Sequence, residues 1–433
     1  MSHRVSHRLL LLSSLVVALA ACGGGGGGDG GSDAPGQNPS PSPVPPSGVT
    51  PLPPGAGPGL GAACASPAGR VLEVGPGKTY ASPSAAAAAV RAGDTIRISA
   101  GDYRGAAAVA QWTVSNLTLC GVGGHARMYA DGQNARGKGI WVIGGANVTI
   151  DGVSFHNATV PDQNGAGIRA EHTSGTLRIV NSGFYDNENG LLSTAGNGSI
   201  DISYSEFAGN GRGDGYTHNL YVGQIDRLVV RASFFRQARI GHNLKSRARE
   251  SLIENSYFMD GPSGTASYQT DFPNGGQVVL RGNVLQKGPN ADNAYLVAYG
   301  FEGYSNPARS LHLVHNTLVS TRTGGGYLYV ASGASSVSLT ANLFAGTASP
   351  ALITGGFASG NVSQSQNVFD VAANIPGATN VSAPNFWPNS ALQARIGLSG
   401  VPDAAYVNDT PRPFVLRAIG GGGRVAGALQ SAP

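Results

Sequence analysis

The sequence predicts an all-β solenoid of parallel strands, and three observations support this fold class. The 433 residues include 66 glycines and 26 prolines but only 12% charged residues, which excludes a coiled coil, a helical bundle and a highly charged disordered chain. The 41% hydrophobic content is sufficient for a sizeable core, and glycine has no triplet period, which excludes collagen. The third observation is an internal repeat of about 27 residues, a length typical of solenoids.

The first residues predict export and a lipid anchor. Two arginines, Arg4 and Arg8, precede an apolar run over 9–19 that is too short to span a bilayer, as in a secretory signal peptide. The run ends in Leu-Ala-Ala before Cys22, which resembles the lipobox of bacterial lipoproteins, and the glycine after this cysteine resembles outer-membrane sorting. We therefore expect a signal peptide over 1–21 and a lipid anchor on Cys22 in the bacterial cell envelope, at the outer membrane. An ordinary signal peptide with a chance cysteine is the alternative.

The remainder of the chain divides into a tether, one domain and a tail. Residues 22–62 are rich in glycine, proline and serine and offer almost nothing to bury, which predicts a tether. The domain is expected over 63–413, followed by a loosely ordered tail over 414–433. Cys64 and Cys120 lie in exported material, where a disulfide persists, so we expect a bond between them, with two buried free thiols as the alternative.

The internal repeat predicts the coils of the solenoid. Two apolar residues at alternate positions are followed, five residues after the second, by phenylalanine or leucine, as in Val148, Ile150 and Phe155. Alternation with period two inside a longer period, with glycine and asparagine between, indicates one coil of parallel strands. We expect the phenylalanines to stack in the core and the asparagines that precede them, such as Asn283, to form a turn or a stacking ladder.

Each repeat also carries a second short strand, which contributes one residue to a predicted interior column. The members of this column are Ile168, Leu191, Leu220, Leu244, Tyr268, Leu296, Leu328 and Leu352. Because side chains alternate across a strand and coils stack in register, this column assigns the outward rows. The predicted rows are Tyr221, Lys245 and Gln269; then Gly223, Arg247, Asp271 and Tyr299; then Asn219, Asn243 and Ser267, with His218 and His242 at the strand mouths.

Over roughly 70–413 these features resemble the right-handed parallel β-helix superfamily, the pectate-lyase-like proteins. The resemblance implies an all-β, right-handed parallel β-helix of roughly ten coils with an N-terminal capping helix. Such a helix is indicated by Ser82 as N-cap, Pro83 as first helical residue and an alanine-rich run that stops at Gly93. A cap is needed because an open first coil would expose the core and a strand edge.

A basic segment marks the candidate site. Seven lysines and arginines and no acidic residue occur over 227–249, and a basic strand face suits a long anionic chain. The alternative is a solvated face whose arginines bind backbone carbonyls and nearby carboxylates. The candidate catalytic residues are Lys245, Arg247, Tyr221, His242 and Asp271, and the candidate substrate-binding residues are Asn219, His218, Asn243, Arg249, Gln269 and Tyr299.

The stretch over 243–255 is similar to the segment around the catalytic lysine in the chondroitinase B and alginate lyase family of β-helix lyases. In that family the lysine of an Asn-Lys-Ser motif removes the proton beside the uronic carboxylate, which implies Lys245 as the base. The arginine that follows about one coil later in the family is not matched in 266–272. The resemblance therefore covers the base and leaves the rest of the mechanism open.

Three functions are compatible with these residues, and the first is favoured. It is cleavage of an extracellular, anionic polysaccharide by β-elimination, with Lys245 as base. Arg247 or Asn243 would neutralise the uronate carboxylate, and Tyr221 or His242 would protonate the leaving oxygen.

The two other hypotheses use the same face. One is a glycoside hydrolase with Asp271 and a second carboxylate such as Asp214 or Glu254. The other is a surface protein that binds a polysaccharide without cleaving it. Under all three hypotheses we expect a monomer that contacts the membrane only through its lipid.

Cofactors and other partners leave few signals in this sequence. The chain has no CxxC, HExxH or P-loop pattern, which argues against zinc and nucleotide sites. No cofactor is expected, and calcium stays open without identifiable ligands. A net charge of +4 is too small to indicate a nucleic acid partner.

Overall fold

The computed structural model describes the repeat region and parts of the C-terminal segment. The described residues are 59–347, 353–370, 375, 377–390, 406–409, 416–419 and 425–430. The predicted signal peptide, Cys22 and most of the predicted tether lie outside them, so the lipid anchor stays a prediction. Within the described ranges, no helix is long and apolar enough to cross a membrane.

The described chain is an all-β parallel solenoid of about 11 turns, which confirms the predicted fold class. Each turn contributes strands to three faces, and strands are numbered in chain order. Face 1 contains β1 (Val71–Val74), β2 (Thr95–Arg104), β4 (Thr118–Tyr129), β6 (Val148–Asp151), β9 (Thr176–Val180), β12 (Ser199–Ser203), β15 (Arg227–Arg231), β18 (Glu250–Glu254), β21 (Gly276–Arg281), β24 (Arg309–Val314), β27 (Ser336–Thr340) and β30 (Val362–Ser365).

Faces 2 and 3 follow face 1 along each turn. Face 2 contains the ends of β2 and β4, then β7 (Val153–His156), β10 (Gly183–Tyr185), β13 (Glu206–Ala208), β16 (Phe234–Arg236), β19 (Tyr257–Met259), β22 (Val284–Lys287), β25 (Thr317–Ser320), β28 (Leu343–Gly346) and β31 (Val368–Asp370). Face 3 contains β3 (Ala110–Trp112), β5 (Gly139–Ile143), β8 (Ala166–Ala170), β11 (Asn189–Ser193), β14 (Leu220–Val222), β17 (Leu244–Ser246), β20 (Thr270–Phe272), β23 (Tyr295–Tyr299), β26 (Gly326–Val330) and β29 (Ile353–Thr354).

The interior of face 2 holds the predicted aromatic column. The rings of successive coils stack from Phe155 to Phe258 with centroids 4.3 to 5.2 Å apart. Leucines replace phenylalanine in the next two coils, and the column resumes with Phe344 and ends at Phe369. The fully buried rings form one continuous core, as the repeat predicts.

The turn from face 1 to face 2 explains the polar part of the repeat. One residue in each coil adopts a left-handed conformation, for example Asn181 at φ 48° and Asn255 at φ 49°. The next residue is a serine or asparagine, and its side chain accepts a hydrogen bond from the equivalent backbone N–H one coil earlier. Asn283 N donates to Asn316 Oδ1 at 3.0 Å in this way. The ladder contains Ser182, Ser205, Ser233, Ser256, Asn283, Asn316, Asn342 and Asn367.

The N-terminal end is held by a disulfide and a short helix. Cys64 and Cys120 are bonded, with their Cα atoms 6.0 Å apart, as expected from the sequence. Helix α1 (Pro83–Ala87) starts at Ser82, whose Oγ accepts a hydrogen bond from Ala85 N at 3.2 Å. It ends before the predicted stop, and its role as a cap of the first coil stays a prediction. The described 3-10 helices are Ala62–Cys64, Gly105–Ala107 and Ser359–Asn361.

C-terminal residues cover part of the outer surface of face 2. Residues 425–430 are buried there, where the composition predicts a loosely ordered tail. Ala428 N donates to Thr317 Oγ1 at 2.9 Å, and Leu429 packs in an apolar cluster with Val319 and Leu343. Strands β32 (Tyr406–Asn408) and β33 (Leu416–Ala418) form an antiparallel pair, and the Tyr257 hydroxyl on face 2 donates to the carbonyl of Asn408.

The predicted interior column of face 3 is correct up to Leu244 and again at Leu328, but its register is wrong in the two coils between them. The observed column continues from Leu244 one residue per coil. Each residue pairs with the next, in the order Thr270, Val297, Leu328 and Ile353. Tyr268 instead lies at the outer corner of its coil, where its ring contacts that of His242. Leu352 lies outside the described residues.

The shift has a simple physical cause. Two consecutive residues face the interior where these strands begin, namely Gln269 with Thr270 in one coil and Leu296 with Val297 in the next, and all four are fully buried. Strict alternation therefore assigns the outward rows incorrectly. The row that begins with Tyr221 and Lys245 continues with Asp271 and not with Gln269.

Candidate functional site

A cluster of ionisable side chains projects from three adjacent strands of face 3. Tyr221 on β14, Lys245 on β17 and Asp271 on β20 are direct neighbours in register. The turn after β23 adds Glu302, which the sequence did not indicate. Arg247 and His242 flank Lys245 along the chain, so the structure brings together all five predicted catalytic residues.

Lys245 connects the two carboxylates of this cluster. Its Nζ lies 2.7 Å from Glu302 Oε1 and 3.8 Å from Asp271 Oδ2. The same ammonium group lies 5.7 Å from the centroid of the Tyr221 ring. Because both carboxylates contact one Nζ atom at these distances, their nearer oxygens are at most about 6.5 Å apart.

Arg247 fixes Glu302 from the other side. Its guanidinium donates to Glu302 Oε2 at 2.6 Å and to the Tyr221 hydroxyl at 2.9 Å, and it also donates to Asn274 Oδ1. Burial alone would lower the pKa of Arg247, but the bonds to Glu302 and Tyr221 raise it. Burial raises the pKa of Glu302, but its bonds to Lys245 and Arg247 together lower the pKa by more, so the net shift is downward. Glu302 is therefore ionised at neutral pH.

The surroundings of Asp271 shift its pKa in the direction opposite to that of Glu302. Its side chain is 4% exposed, and burial raises its pKa to about 7 against the partial opposition of Lys245. Oδ2 lies 3.3 Å from His242 Nε2, whereas Oδ1 has no hydrogen-bond partner within the described chain. Asp271 can therefore hold a proton near neutral pH, while Glu302, which contacts the same lysine, cannot.

The two predicted histidines form a stacked pair at the mouth of the strands. The rings of His218 and His242 have centroids 4.6 Å apart, and His242 N donates to His218 Nδ1 at 2.9 Å. Burial lowers the pKa of His218 to about 3 and that of His242 well below its usual value. Both rings are therefore neutral, and His242 contacts Asp271 as an uncharged ring and not as a cation.

Four predicted substrate-binding residues face the interior, so their predicted outward positions are wrong. Asn219 Nδ2 donates to Asn243 Oδ1, and Asn243 Nδ2 donates to Gln269 Oε1, both at 2.6 Å. Gln269 Nε2 then donates to Asp260 Oδ2 at 2.8 Å. Tyr299 is fully buried in the core, with its hydroxyl bonded to the carbonyl of Gly276. The side chains of the four predicted residues are thus occupied inside the solenoid.

The basic segment is not a free cationic strip. Its basic side chains form ion pairs with acids from other coils, and these pairs include Arg231–Glu254, Arg236–Glu206, Arg239–Asp186, Lys245–Glu302, Arg247–Glu302 and Arg249–Asp226. Arg249 belongs to the beginning of face 1 and does not join the cluster. The alternative of paired arginines describes this segment, because stacking supplies carboxylates that are distant in sequence.

The second carboxylates considered for a hydrolase lie elsewhere. Glu254 belongs to face 1, where it pairs with Arg231 and Arg281. Asp214 lies in the loop before β14 and accepts hydrogen bonds from the Thr217 hydroxyl and two backbone N–H groups. Among the described residues, no group of three or more His, Cys, Asp or Glu side chains is placed to hold a metal ion.

Two solved structures are similar to this chain over much of its length. Pectate lyase Pel9A has a TM-score of 0.49 at 14% identity, covering 84% of this chain and 97% of that one. ORF18 of Geobacillus virus E2 has a TM-score of 0.40 at 13% identity, covering 64% of this chain and 54% of that one. No protein-family profile and no curated protein sequence matches the chain. The solenoid fold is established by the strand pairing of the chain itself.

Proposed function

We propose that this protein cleaves glycosidic bonds of a polysaccharide on face 3, with Asp271 as general acid and Glu302 as the second carboxylate. One observation carries the proposal: two carboxylates contact one lysine, and their pKa values are shifted in opposite directions. Pairs of titratable groups separated in this way are suited to opposite acid and base roles. The solenoid supports a polymeric substrate, because its stacked strands present an extended surface.

The separation of the two carboxylates bears on the type of hydrolysis. Retaining glycosidases hold their carboxyl groups about 5 to 5.5 Å apart, and inverting enzymes need about 6.5 to 9.5 Å to admit a water molecule. The Lys245 contacts hold the nearer oxygens within about 6.5 Å of each other, which is compatible with the retaining arrangement, and we adopt that arrangement for the proposal. In this mechanism Asp271 protonates the leaving oxygen while Glu302 attacks the anomeric carbon, and Asp271 then deprotonates the water that releases the sugar.

The neighbouring side chains support these roles. His242 contacts Asp271 Oδ2, whereas Oδ1 is buried and has no hydrogen-bond partner among the described residues. Arg247 holds Glu302 and prevents its protonation at neutral pH. Lys245 restrains both carboxylates, and the Tyr221 hydroxyl fixes Arg247.

Elimination by Lys245 is the second candidate. It is favoured by the position of Nζ between the Tyr221 ring and Asp271, on the same outward row. It requires Nζ to reach a proton of the substrate, however, and Nζ is instead occupied by its contacts with Glu302 and Asp271. We therefore place hydrolysis first, although the sequence alone favoured elimination.

The predicted cell location agrees with an external polymer as substrate. A signal peptide and a lipid on Cys22 would hold the domain at the bacterial outer membrane, and the disulfide between Cys64 and Cys120 is stable in such an oxidising compartment. Cys22→Ser should release the protein from membranes in a fractionation experiment. Membrane association equal to that of the wild type would refute the lipid anchor.

Product analysis tests the proposed reaction directly. The mature protein is incubated with a panel of neutral and uronic-acid polysaccharides, and both new reducing ends and ultraviolet absorbance are followed. Hydrolysis produces reducing ends without the absorbance of an unsaturated sugar, whereas elimination produces both. Absence of new reducing ends with every polymer would remove both enzymatic mechanisms and leave the binding protein.

A further inference from the structure

Three aromatic side chains lie together on face 3, next to the ionisable cluster. We call Tyr295, Phe301 and Tyr329 the aromatic platform. The Tyr329 ring lies 5.1 Å from that of Phe301 and 5.6 Å from that of Tyr295, measured between centroids. Phe301 is 57% exposed, which is unusual for a large apolar side chain. Exposed aromatic groups of this kind are a common sign of a binding surface.

The platform continues the row that contains Asp271. Asp271 pairs with Ala298, which pairs with Tyr329, so Tyr329 lies two strands, or about 10 Å, from Asp271 along the solenoid. Phe301 directly precedes Glu302 in the turn after β23. One turn therefore supplies a carboxylate toward Lys245 and an aromatic ring toward Tyr329.

The charge changes sharply along this row. The strands on the N-terminal side present Lys245 and Arg247, each paired with Glu302. Beyond Asp271, the outward positions of β23 and β26 carry no charged side chain. The residues at these positions are Tyr295, Ala298, Gly326 and Tyr329. A uronate placed over the platform would thus lose hydration without gaining a cationic partner, which is unfavourable.

We propose that the aromatic platform is a subsite that stacks on the apolar face of an uncharged sugar in the glycan. The glycan then lies along the solenoid axis, with the cleaved bond over Asp271 and neutral units on the C-terminal side. This inference rests on the proposed function for the position of cleavage, and it adds the substrate class: a polysaccharide with neutral sugars at this subsite. Planar rings bind the C–H faces of sugars by burying apolar area, without a need for ion pairs.

The test measures binding separately from cleavage. The mature Asp271→Asn protein is titrated calorimetrically with two sets of defined oligosaccharides, one of neutral glucose, xylose or mannose units and one of uronates. In this background Phe301→Ala and Tyr329→Ala should each weaken binding of the neutral ligand by about tenfold. Tyr329→Phe keeps the ring and should bind as the parent does. Tyr216→Ala, which removes a tyrosine that is 82% exposed in the loop before β14, is the matched control and should have no effect.

The outcomes separate the subsite from the reaction. Equal affinity of the parent, Phe301→Ala and Tyr329→Ala proteins would overturn the platform while leaving cleavage by Asp271 intact. Full cleavage by Asp271→Asn together with weaker binding by the aromatic variants would overturn the role of Asp271 in cleavage while leaving the platform intact. The platform is also refuted if no neutral oligosaccharide binds, or if only uronates bind with an affinity that falls as salt rises. Far-ultraviolet circular dichroism and melting curves establish that each variant is folded.

Discussion

Faces 2 and 3 belong to the same coils, but their outer side chains differ in kind. On face 2 the outward residues include Tyr257, Val319 and Leu343, which pack beneath C-terminal residues of the same chain. On face 3 the outward positions hold Lys245 and Asp271, and among the described residues no comparable apolar cluster includes them. Both surfaces are made of parallel strands, so strand geometry does not account for the contrast.

The comparison shows how a solenoid can separate stability from function. An apolar outer face must be covered because its exposure to water is costly, and face 2 uses residues near 425–430 for this purpose. Face 3 retains a buried carboxyl with a raised pKa, an arrangement that is itself unfavourable for folding at neutral pH. Substitutions on face 2 should therefore change stability, and substitutions on face 3 should change activity.

The largest expected effect is the loss of turnover on removing either carboxylate. Asp271→Asn and Glu302→Gln should each lower kcat by about 100-fold to 10,000-fold, because each removes one proton-transfer or nucleophilic group. Rates are measured from new reducing ends, and melting curves report folding. Asp226→Asn breaks an exposed carboxylate–arginine pair outside the cluster and is the matched control, expected to retain full activity. Comparable activity in all three variants would contradict the proposed site.

A substitution in the cover of face 2 should act in the opposite way. Leu429→Asp places a carboxylate in the apolar cluster formed with Val319 and Leu343, which should lower the free energy of unfolding by several kcal/mol, on the order of 3. The fraction that stays folded should have the turnover of the wild type. Leu429→Met, which preserves the apolar contact, should cost less than about 1.5 kcal/mol. A melting temperature of Leu429→Asp equal to that of the wild type would show that this segment does not contribute to stability.

Asp271 also predicts how stability depends on pH. Its pKa is raised from 3.8 to about 7 in the folded protein, so the folded state retains a proton that the unfolded state releases. The stabilisation from this proton is complete below about pH 4 and is lost as the pH rises through about 7, in total a few kcal/mol at most. Chemical denaturation at pH 4 and pH 8 measures the free energy of unfolding of the wild type and of Asp271→Asn. If the stability of the wild type relative to Asp271→Asn were the same at both pH values, the raised pKa would be contradicted.

Much of the fold follows from the sequence, because coils of similar length repeat a period-two pattern. The Phe155 column and the Asn283 ladder are visible in the repeat itself. The predicted register of face 3 fails in the two coils after Leu244, because Gln269 and Thr270 face inward consecutively and an alternating pattern cannot detect such a corner. The sequence predicts a basic face over 227–249 for a related reason. The carboxylates that pair with these side chains come from other coils and are distant in sequence.

The candidate site was only partly predictable for the same reason. The sequence predicts Lys245, Arg247 and Asp271 because they lie on one strand or on adjacent coils. Glu302 is 57 residues from Lys245 in sequence, in a turn bounded by Gly300 and Gly303, and no local pattern connects it to the cluster. The glycine pair does indicate a tight turn, but its direction toward face 3 is set by the register of the solenoid. The packing of 425–430 was missed because a glycine-rich composition resembles a loose tail.

The smallest effect expected among these variants separates the two reactions most clearly. In the hydrolytic mechanism Lys245 only restrains and polarises the carboxylates, so Lys245→Met should reduce kcat by about tenfold rather than abolish it. Loss of the ammonium group also removes an interaction that lowers the pKa of Asp271, so the alkaline limit of the pH–rate profile should move above about 7. Arg247 remains bonded to Glu302, so the acid limit should move less. If Lys245 is the base of an elimination, the same variant should instead be inactive at every pH, and Glu302→Gln should remain active because it releases the lysine from its ion pair.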